Sequence, residues 1–256
     1  MINPMSLEGR TIVVTGAGQG IGLAATKAIF DLGGSVVMID MNPETLAAAA
    51  TEFGDKALPI AGNVTDYDFV TSALAQGVEK FGALHGLVNS AGIIRPAMIE
   101  KMEPKQWQAV IDVNLTGSFY CLQLFGKHVI ARRAAGDTSP ASIVNISSIA
   151  GRKGTIGQIN YSAAKSGLFG LTMSAALEWA KHDIRANAIC YGLVETPMTE
   201  VIRGDKFRDM ALARIPMGRW TSPEEAVKSI CFLVSDAGSY ITGQTLSVDG
   251  GTFMAP

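Results

Sequence analysis

Tyr161 and Lys165 stand four residues apart in the stretch Asn160-Tyr-Ser-Ala-Ala-Lys165. On a helix that spacing puts both side chains on one face. A free phenol titrates at about pH 10 and keeps its proton near neutrality. A neighbouring ammonium stabilises the phenolate, so the pair is expected to have a lowered phenol pKa and to work as an acid and base. A glycine-rich turn near the start of the chain, Thr15-Gly-Ala-Gly-Gln-Gly-Ile-Gly22, gives the pair a context. Glycines 16, 20 and 22 let the backbone turn tightly and approach a phosphate closely. A helix starting there offers free N–H groups to the anion. Asp40 follows Gly22 by 18 residues, at the end of the next predicted strand. A carboxylate there accepts hydrogen bonds from a ribose 2′-OH and repels a 2′-phosphate. Gln19 stands in the loop and Met41-Asn42 follows the acid, so no cation is offered to such a phosphate. The expected cofactor is NAD rather than NADP.

These residues need a scaffold, and the sequence supplies one by alternation. Strand-length apolar runs fall at 11–15, 35–40, 57–61, 86–89, 141–146, 185–190 and 245–248, with helical patterns at 20–32, 66–81, 104–135, 157–182 and 222–234. Asn42-Pro43 reads as an N-cap with proline at the first helical position, and Ser222-Pro-Glu-Glu225 as a capping box. Near-continuous apolar strands separated by helices predict a parallel sheet covered on both faces. The expected fold is α/β: a Rossmann-like doubly wound sheet of seven parallel strands with helices on both faces. No linker, low-complexity tract or internal repeat divides the chain, so 1–256 is read as a single dinucleotide-binding catalytic domain. The irregular segment 193–220 interrupts the alternation and is expected to be a substrate lid.

Bulk properties narrow the function classes. Apolar residues make up 48% of the chain and charged residues 17%, which excludes a disordered chain. A net charge of −2 offers no field for nucleic acid or an anionic membrane. Cys121, Cys190 and Cys231 are far apart and read as unpaired thiols in a reducing compartment. His85, His128 and His182 lack metal-ligand spacing, so no metal is expected. Met1 to Glu8 lacks the basic head and apolar run of a secretory signal, and no apolar stretch reaches the roughly 20 residues of a membrane span. The expected location is the cytoplasm.

Taken together, the motifs resemble those of the short-chain dehydrogenase/reductase family, of the single-domain type with about 250 residues, from Leu7 to Gly251. Thr15-Gly-x-x-x-Gly-Ile-Gly22 is similar to the family's cofactor loop, and Asn89-Ser-Ala-Gly92 to its Asn-Asn-Ala-Gly. Asn114 in Val113-Asn-Leu-Thr116, Ser148 in Asn145-Ile-Ser-Ser148, and Tyr161-Ser-Ala-Ala-Lys165 match the remaining catalytic positions. Two positions depart: Asn63-Val64 stands where Asp-Val is frequent, and Tyr191-Gly192 where Pro-Gly is usual. The resemblance implies a catalytic set of Asn114, Ser148, Tyr161 and Lys165. It implies cofactor contacts at Gly16, Gln19, Gly20, Ile21, Asp40, Met41, Asn63, Val64, Asn89, Ala91, Gly92, Gly192, Val194 and Thr196, besides Tyr161 and Lys165.

What the resemblance implies for activity is the interconversion of a secondary alcohol and a ketone with NAD(H). Ser148 and Tyr161 would hydrogen-bond the substrate oxygen, Tyr161 would move the proton, Lys165 would lower its pKa and bind the ribose, and Asn114 would hold a water. The relatives in view are 3-oxoacyl-carrier-protein reductases and NAD-linked secondary alcohol or hydroxysteroid dehydrogenases; the former usually take NADPH. Substrates would be 3-hydroxyacyl/3-oxoacyl compounds or hydrophobic cyclic or aryl ketones, with Ile94, Met98 and Tyr191 lining the pocket beneath the lid. A homotetramer is expected by analogy. The rival readings are a catalytically silent NAD-binding sensor or scaffold, an NADPH-dependent carrier-protein reductase, and a methyl transferase; the last needs neither Tyr161 nor Lys165.

Overall fold

Seven runs of β-branched and small apolar residues form one parallel sheet: β1 (Thr11–Thr15), β2 (Ser35–Asp40), β3 (Ala57–Ala61), β4 (Gly86–Asn89), β5 (Ala141–Ser148), β6 (Ile184–Tyr191) and β7 (Thr245–Val248). The computed structural model describes residues 3–254, so the two residues at each end of the expected 1–256 domain lie outside the described residues. The strand order is β3-β2-β1-β4-β5-β6-β7. The chain winds outward from β1 in one direction and from β4 in the other, and the crevice between these halves is where such sheets bind ligands.

The helices are α1 (Gly20–Asp31), α2 (Pro43–Ala50), α3 (Tyr67–Phe81), α4 (Pro104–Ile111), α5 (Gly117–Ala134), α6 (Ile149–Lys153), α7 (Ile159–Trp179), α8 (Glu200–Arg203), α9 (Asp205–Leu212), α10 (Pro223–Ala226) and α11 (Lys228–Val234). They cover both faces, as the doubly wound pattern requires. Alternate strand residues enter opposite cores. Ile12, Val14 and Met38 pack with Ile29, Phe53 and Ile230 on one side, while Val13, Val37 and Ile143 pack with Leu74, Leu122 and Phe125 on the other. Burial on both faces explains why the strands read as unbroken apolar runs.

Several expectations change in detail. β5 and β6 run past their predicted ends to Ser148 and Tyr191, carrying both residues to the sheet's C-terminal edge in register with each other. The helix expected over 104–135 is interrupted by a π-helical segment at Asp112–Thr116. That over 222–234 breaks at Val227 into α10 and α11. Asn42 caps α2 as predicted, its side chain accepting from the Glu44 and Thr45 N–H groups. The box at Ser222 is only half formed. Ser222 Oγ accepts from Glu225 N at 3.2 Å, but the Glu225 carboxylate turns to Arg219 and Thr221. The irregular segment contains a 3-10 turn, α8 and α9; at its base Val194 bridges to Thr221.

Candidate active site

A cleft of about 810 Å³ opens along the C-terminal ends of the strands. Of the residues expected as catalytic or cofactor-contacting, all but Asn89 and Asn114 line it.

Its floor begins at the glycine turn. Gly16 has φ +69°, and a Cβ on it would lie 2.9 Å from Ala91 Cα. A Cβ on Gly22 would lie 2.0 Å from the Gly16 carbonyl oxygen, so the first turn of α1 packs there only as glycine. Gln19 occupies the N-cap without a side-chain cap bond, which leaves the first N–H groups of α1 open to an anion. Thr15 Oγ1 accepts from both Ser90 N and Ala91 N at 3.1 Å, tying the loop after β4 to the end of β1. This cradle fits the pyrophosphate of a dinucleotide.

At the outer end, Asp40 accepts from Gly18 N at 2.9 Å and from Asn42 N at 3.0 Å. Its neighbours in the lining are Met41, Asn42, Pro43 and Glu44; none is a cation. Asn63 Oδ1 accepts from Thr65 N at 3.0 Å, which leaves its Nδ2 to face a base. Val64 is buried where a Cβ on Gly117 would reach its methyl group at 2.7 Å.

The inner end holds the residues expected to do acid–base chemistry. Ser148 Oγ caps α6 by accepting from Ala150 N at 3.1 Å, and its hydroxyl proton is turned towards Tyr161. Ser147 turns inward and donates to the Lys165 carbonyl at 2.8 Å, a structural bond. Lys165 is 4% exposed, and its Nζ donates to the Ile146 carbonyl at 2.7 Å. Burial lowers this ammonium to about 8. The Lys165 nitrogen lies 5.6 Å from the centre of the Tyr161 ring.

The Tyr161 phenol does not have the lowered pKa expected. Burial pushes it up to about 12, and the hydrogen bond from Ser148 offsets only part of that rise. The expectation weighed the ammonium's charge but not the cost of desolvating a phenolate. Nothing in the spacing of a Tyr and a Lys reports that cost.

Asn114 and Asn89 act from behind the lining. Asn114 is fully buried in the π-helical segment, where its Oδ1 accepts from Ile93 N at 2.8 Å and its Nδ2 donates to Ile93 O at 3.0 Å. A Cβ on Gly92 would lie 3.4 Å from Asn114 Oδ1 and 3.6 Å from Lys165 Nζ, so the amide and the ammonium approach each other across that glycine. Asn89 Nδ2 donates to Asn145 Oδ1 at 2.9 Å and to the Ser118 carbonyl at 3.1 Å. Its side chain braces β4 against β5 and α5 and leaves the cleft to Ser90, Ala91 and Gly92.

The substrate side differs from its prediction. Tyr191 lines the cleft, but its hydroxyl donates to the Ala226 carbonyl at 3.0 Å, and burial raises its pKa. Ile94 and Met98 stay outside the lining, where Ile93, Arg95 and Met198 stand. Of the cations in 193–220, Arg203 donates to Thr199 Oγ1 and the Thr196 carbonyl, and Arg208 lies over the Trp220 ring at 5.2 Å. Arg95 was not singled out in the sequence, nor was Asn160, which anchors its backbone. The available signal was a lone cation three residues past Gly92.

The family described as Enoyl-(Acyl carrier protein) reductase matches residues 16–252. The chain is 42% identical over 250 residues to a 3-oxoacyl-[acyl-carrier-protein] reductase of Thermotoga maritima, covering 96% of this chain and 99% of that one. It belongs to the short-chain dehydrogenase/reductase family. This short-chain dehydrogenase/reductase is also 39% identical to a cis-4-hydroxycyclohexanecarboxylate dehydrogenase of Sinomonas cyclohexanicum, over 94% of its own length and 96% of the relative's. Its fold superposes on the crystal structure of a short-chain type dehydrogenase/reductase from Mycobacterium marinum with a TM-score of 0.91, at 28% identity and 98% coverage of both chains. The chain is therefore an oxidoreductase acting on a CH–OH group, with a nicotinamide cofactor. Among the described residues no helix is long and apolar enough to cross a membrane, and no group of three or more metal-ligating side chains occurs.

Proposed function

We propose that this protein is an NAD(H)-dependent dehydrogenase that interconverts a secondary alcohol and a ketone, formed as a single catalytic domain with a lid over 193–220. The observation that carries the reading is the meeting of Ser148, Tyr161 and Lys165 at the inner end of a cleft whose outer end is acidic. A bound nicotinamide supplies or accepts the hydride. The chain's own groups do the rest.

Ser148 presents its hydroxyl proton to the substrate oxygen, turning it from the Tyr161 oxygen when substrate binds. Tyr161, kept neutral by its raised pKa, donates a second hydrogen bond and then the proton during reduction; in oxidation it takes that proton back. Lys165 holds a ribose hydroxyl and supplies positive charge beside the phenol. Asn114 fixes the Ile93 backbone at the same wall, and its segment holds a water that relays protons to Lys165. At the outer end, Asp40 accepts from the ribose 2′-OH. A 2′-phosphate there would meet Asp40 and Glu44 with no compensating cation, which supports NAD over NADP.

The substrate classes this reading admits are 3-oxoacyl compounds and hydrophobic cyclic or aryl ketones. An NADPH-dependent 3-oxoacyl-carrier-protein reductase is the second reading, favoured by the relative of that name at 42% identity. A silent NAD sensor is a weaker fit, because it has no use for the acid–base trio. The exposed Phe119, Met173 and Leu177 on α5 and α7 suit those helices to a subunit interface, which supports a homotetramer. Absorbance of reduced nicotinamide during incubation with 3-oxoacyl thioesters, cyclic ketones and aryl ketones, each with NADH and with NADPH, tests the proposal. NADH oxidation with at least one ketone is expected; consumption of NADPH alone would move the assignment to the second reading.

A further inference from the structure

Charge is unevenly distributed along the cleft. Asp40 and Glu44 lie at one end, and Lys165 and Arg95 are the only arginine or lysine residues in the lining among the described residues. Lys165 is buried, with its ammonium on the Ile146 carbonyl. Arg95 is exposed and forms no ion pair with any described residue. Its Nη1 donates to the adjacent Ile94 carbonyl at 2.8 Å, which leaves the Nε and Nη2 donors to a ligand. A guanidinium is a rigid fork of donors that matches a carboxylate in shape and charge.

The backbone under this guanidinium is held to the helix that carries Tyr161. Asn160 is fully buried, and its Nδ2 donates to the Arg95 and Gln106 carbonyls, each at 3.0 Å. The same side chain accepts from Tyr161 N at 2.8 Å. Two residues on, Ala97 N donates to the Gly157 carbonyl at 2.9 Å. The Arg95 backbone is thus tied to the helix that carries Tyr161, and its side chain shares the cleft lining with Ile93 and Met198.

We infer that Arg95 is a specificity-determining residue that binds a carboxylate on the substrate, so that the preferred substrates are hydroxy and keto acids with an apolar body between the two ends. The inference rests on the alcohol/ketone reading of the cleft. It favours a carboxylate over the phosphate of a carrier arm, because a cation registered to the Tyr161 helix meets an anion close to the reacting carbon, whereas the phosphate lies a full pantetheine length away.

The test compares 4-oxocyclohexanecarboxylate with its neutral carboxamide, using the whole protein and NADH. The carboxylate is expected to be preferred in kcat/KM. The Arg95→Gln variant should reduce that preference about tenfold or more, mainly through KM, and Arg95→Lys should recover part of it. A preference unchanged within about twofold in Arg95→Gln overturns the inference. A loss confined to 3-oxobutanoyl-pantetheine phosphate overturns it in favour of the phosphate. Calorimetric binding of cyclohexanecarboxylate and cyclohexanecarboxamide to the NAD-saturated protein reads the same ratio without turnover. If no ketone is reduced with either NADH or NADPH, the alcohol/ketone reading fails, while the binding ratio still decides the role of Arg95.

Discussion

Tyr161 is a buried phenol, and burial disfavours its charged form. With the pKa pushed up to about 12, the group is neutral throughout the physiological range and ready to donate. Oxidation requires the phenolate, whose charge must be stabilised by Lys165 and the bound cofactor. Replacing the phenol by phenylalanine is expected to lower kcat about 10²–10⁴-fold while cofactor affinity, read by nicotinamide fluorescence, stays within a few-fold. Turnover near that of the parent would remove Tyr161 from the acid–base role. At the other end of the cleft, Asp40→Ala removes one of two carboxylates from an end without cations. The ratio of kcat/KM for NAD over NADP should fall about tenfold or more. An unmoved ratio would shift the discrimination to other groups, Glu44 first.

The elements place these side chains through a few buried bonds, and the sequence revealed the elements better than the bonds. The strands were legible because burial on both faces enforces continuous apolar runs, and α1 because a glycine turn precedes an apolar helical pattern. The π-helical segment at 112–116 was not legible: it uses the same helix-compatible residues as its flanks, and the clamp of its Asn114 on Ile93 is a tertiary contact. At five residues, α6 carries too little pattern to detect. Spacing singled out Tyr161, Lys165 and Asp40, and the family resemblance singled out Ser148; all four line the cleft. Asn160 was not, because its bonds reach Arg95 and Gln106, which lie 65 and 54 residues away in the chain. Asn160→Ala leaves two carbonyls without that donor, those of Arg95 in the loop after β4 and of Gln106 on α4, which packs against α7. It is expected to destabilise the fold by about 2–4 kcal/mol, measured by denaturant unfolding. A loss below about 0.5 kcal/mol would mean that water replaces the amide.

On the scale of the whole molecule, function sits at one edge of the sheet and a pH-sensitive support sits at the other. His85 Nδ1 accepts from Thr11 N at 3.1 Å at the start of β1, and His128 Nε2 accepts from Leu84 N at 3.3 Å just before β4. Both bonds require neutral imidazole. Arg132 and Arg10 face this corner, and Asp137 only partly offsets them. Burial first and Arg132 second lower His85 to about 4 from its ordinary 6.5; the same two causes lower His128. A histidine with a depressed folded pKa binds its proton more readily when unfolded. Its contribution is therefore fully present above about pH 6.5 and is lost as the pH falls towards 4. For His85 the loss is about 1–3 kcal/mol once partial exposure is allowed for. The melting temperature is expected to fall by several degrees across that window. His85→Asn keeps a short acceptor for Thr11 N but cannot titrate, so its acid slope should be shallower than that of the parent. Equal slopes for the two proteins, measured by scanning calorimetry from about pH 7 to about pH 4, would show that acid sensitivity arises elsewhere, with His128 the next group to replace.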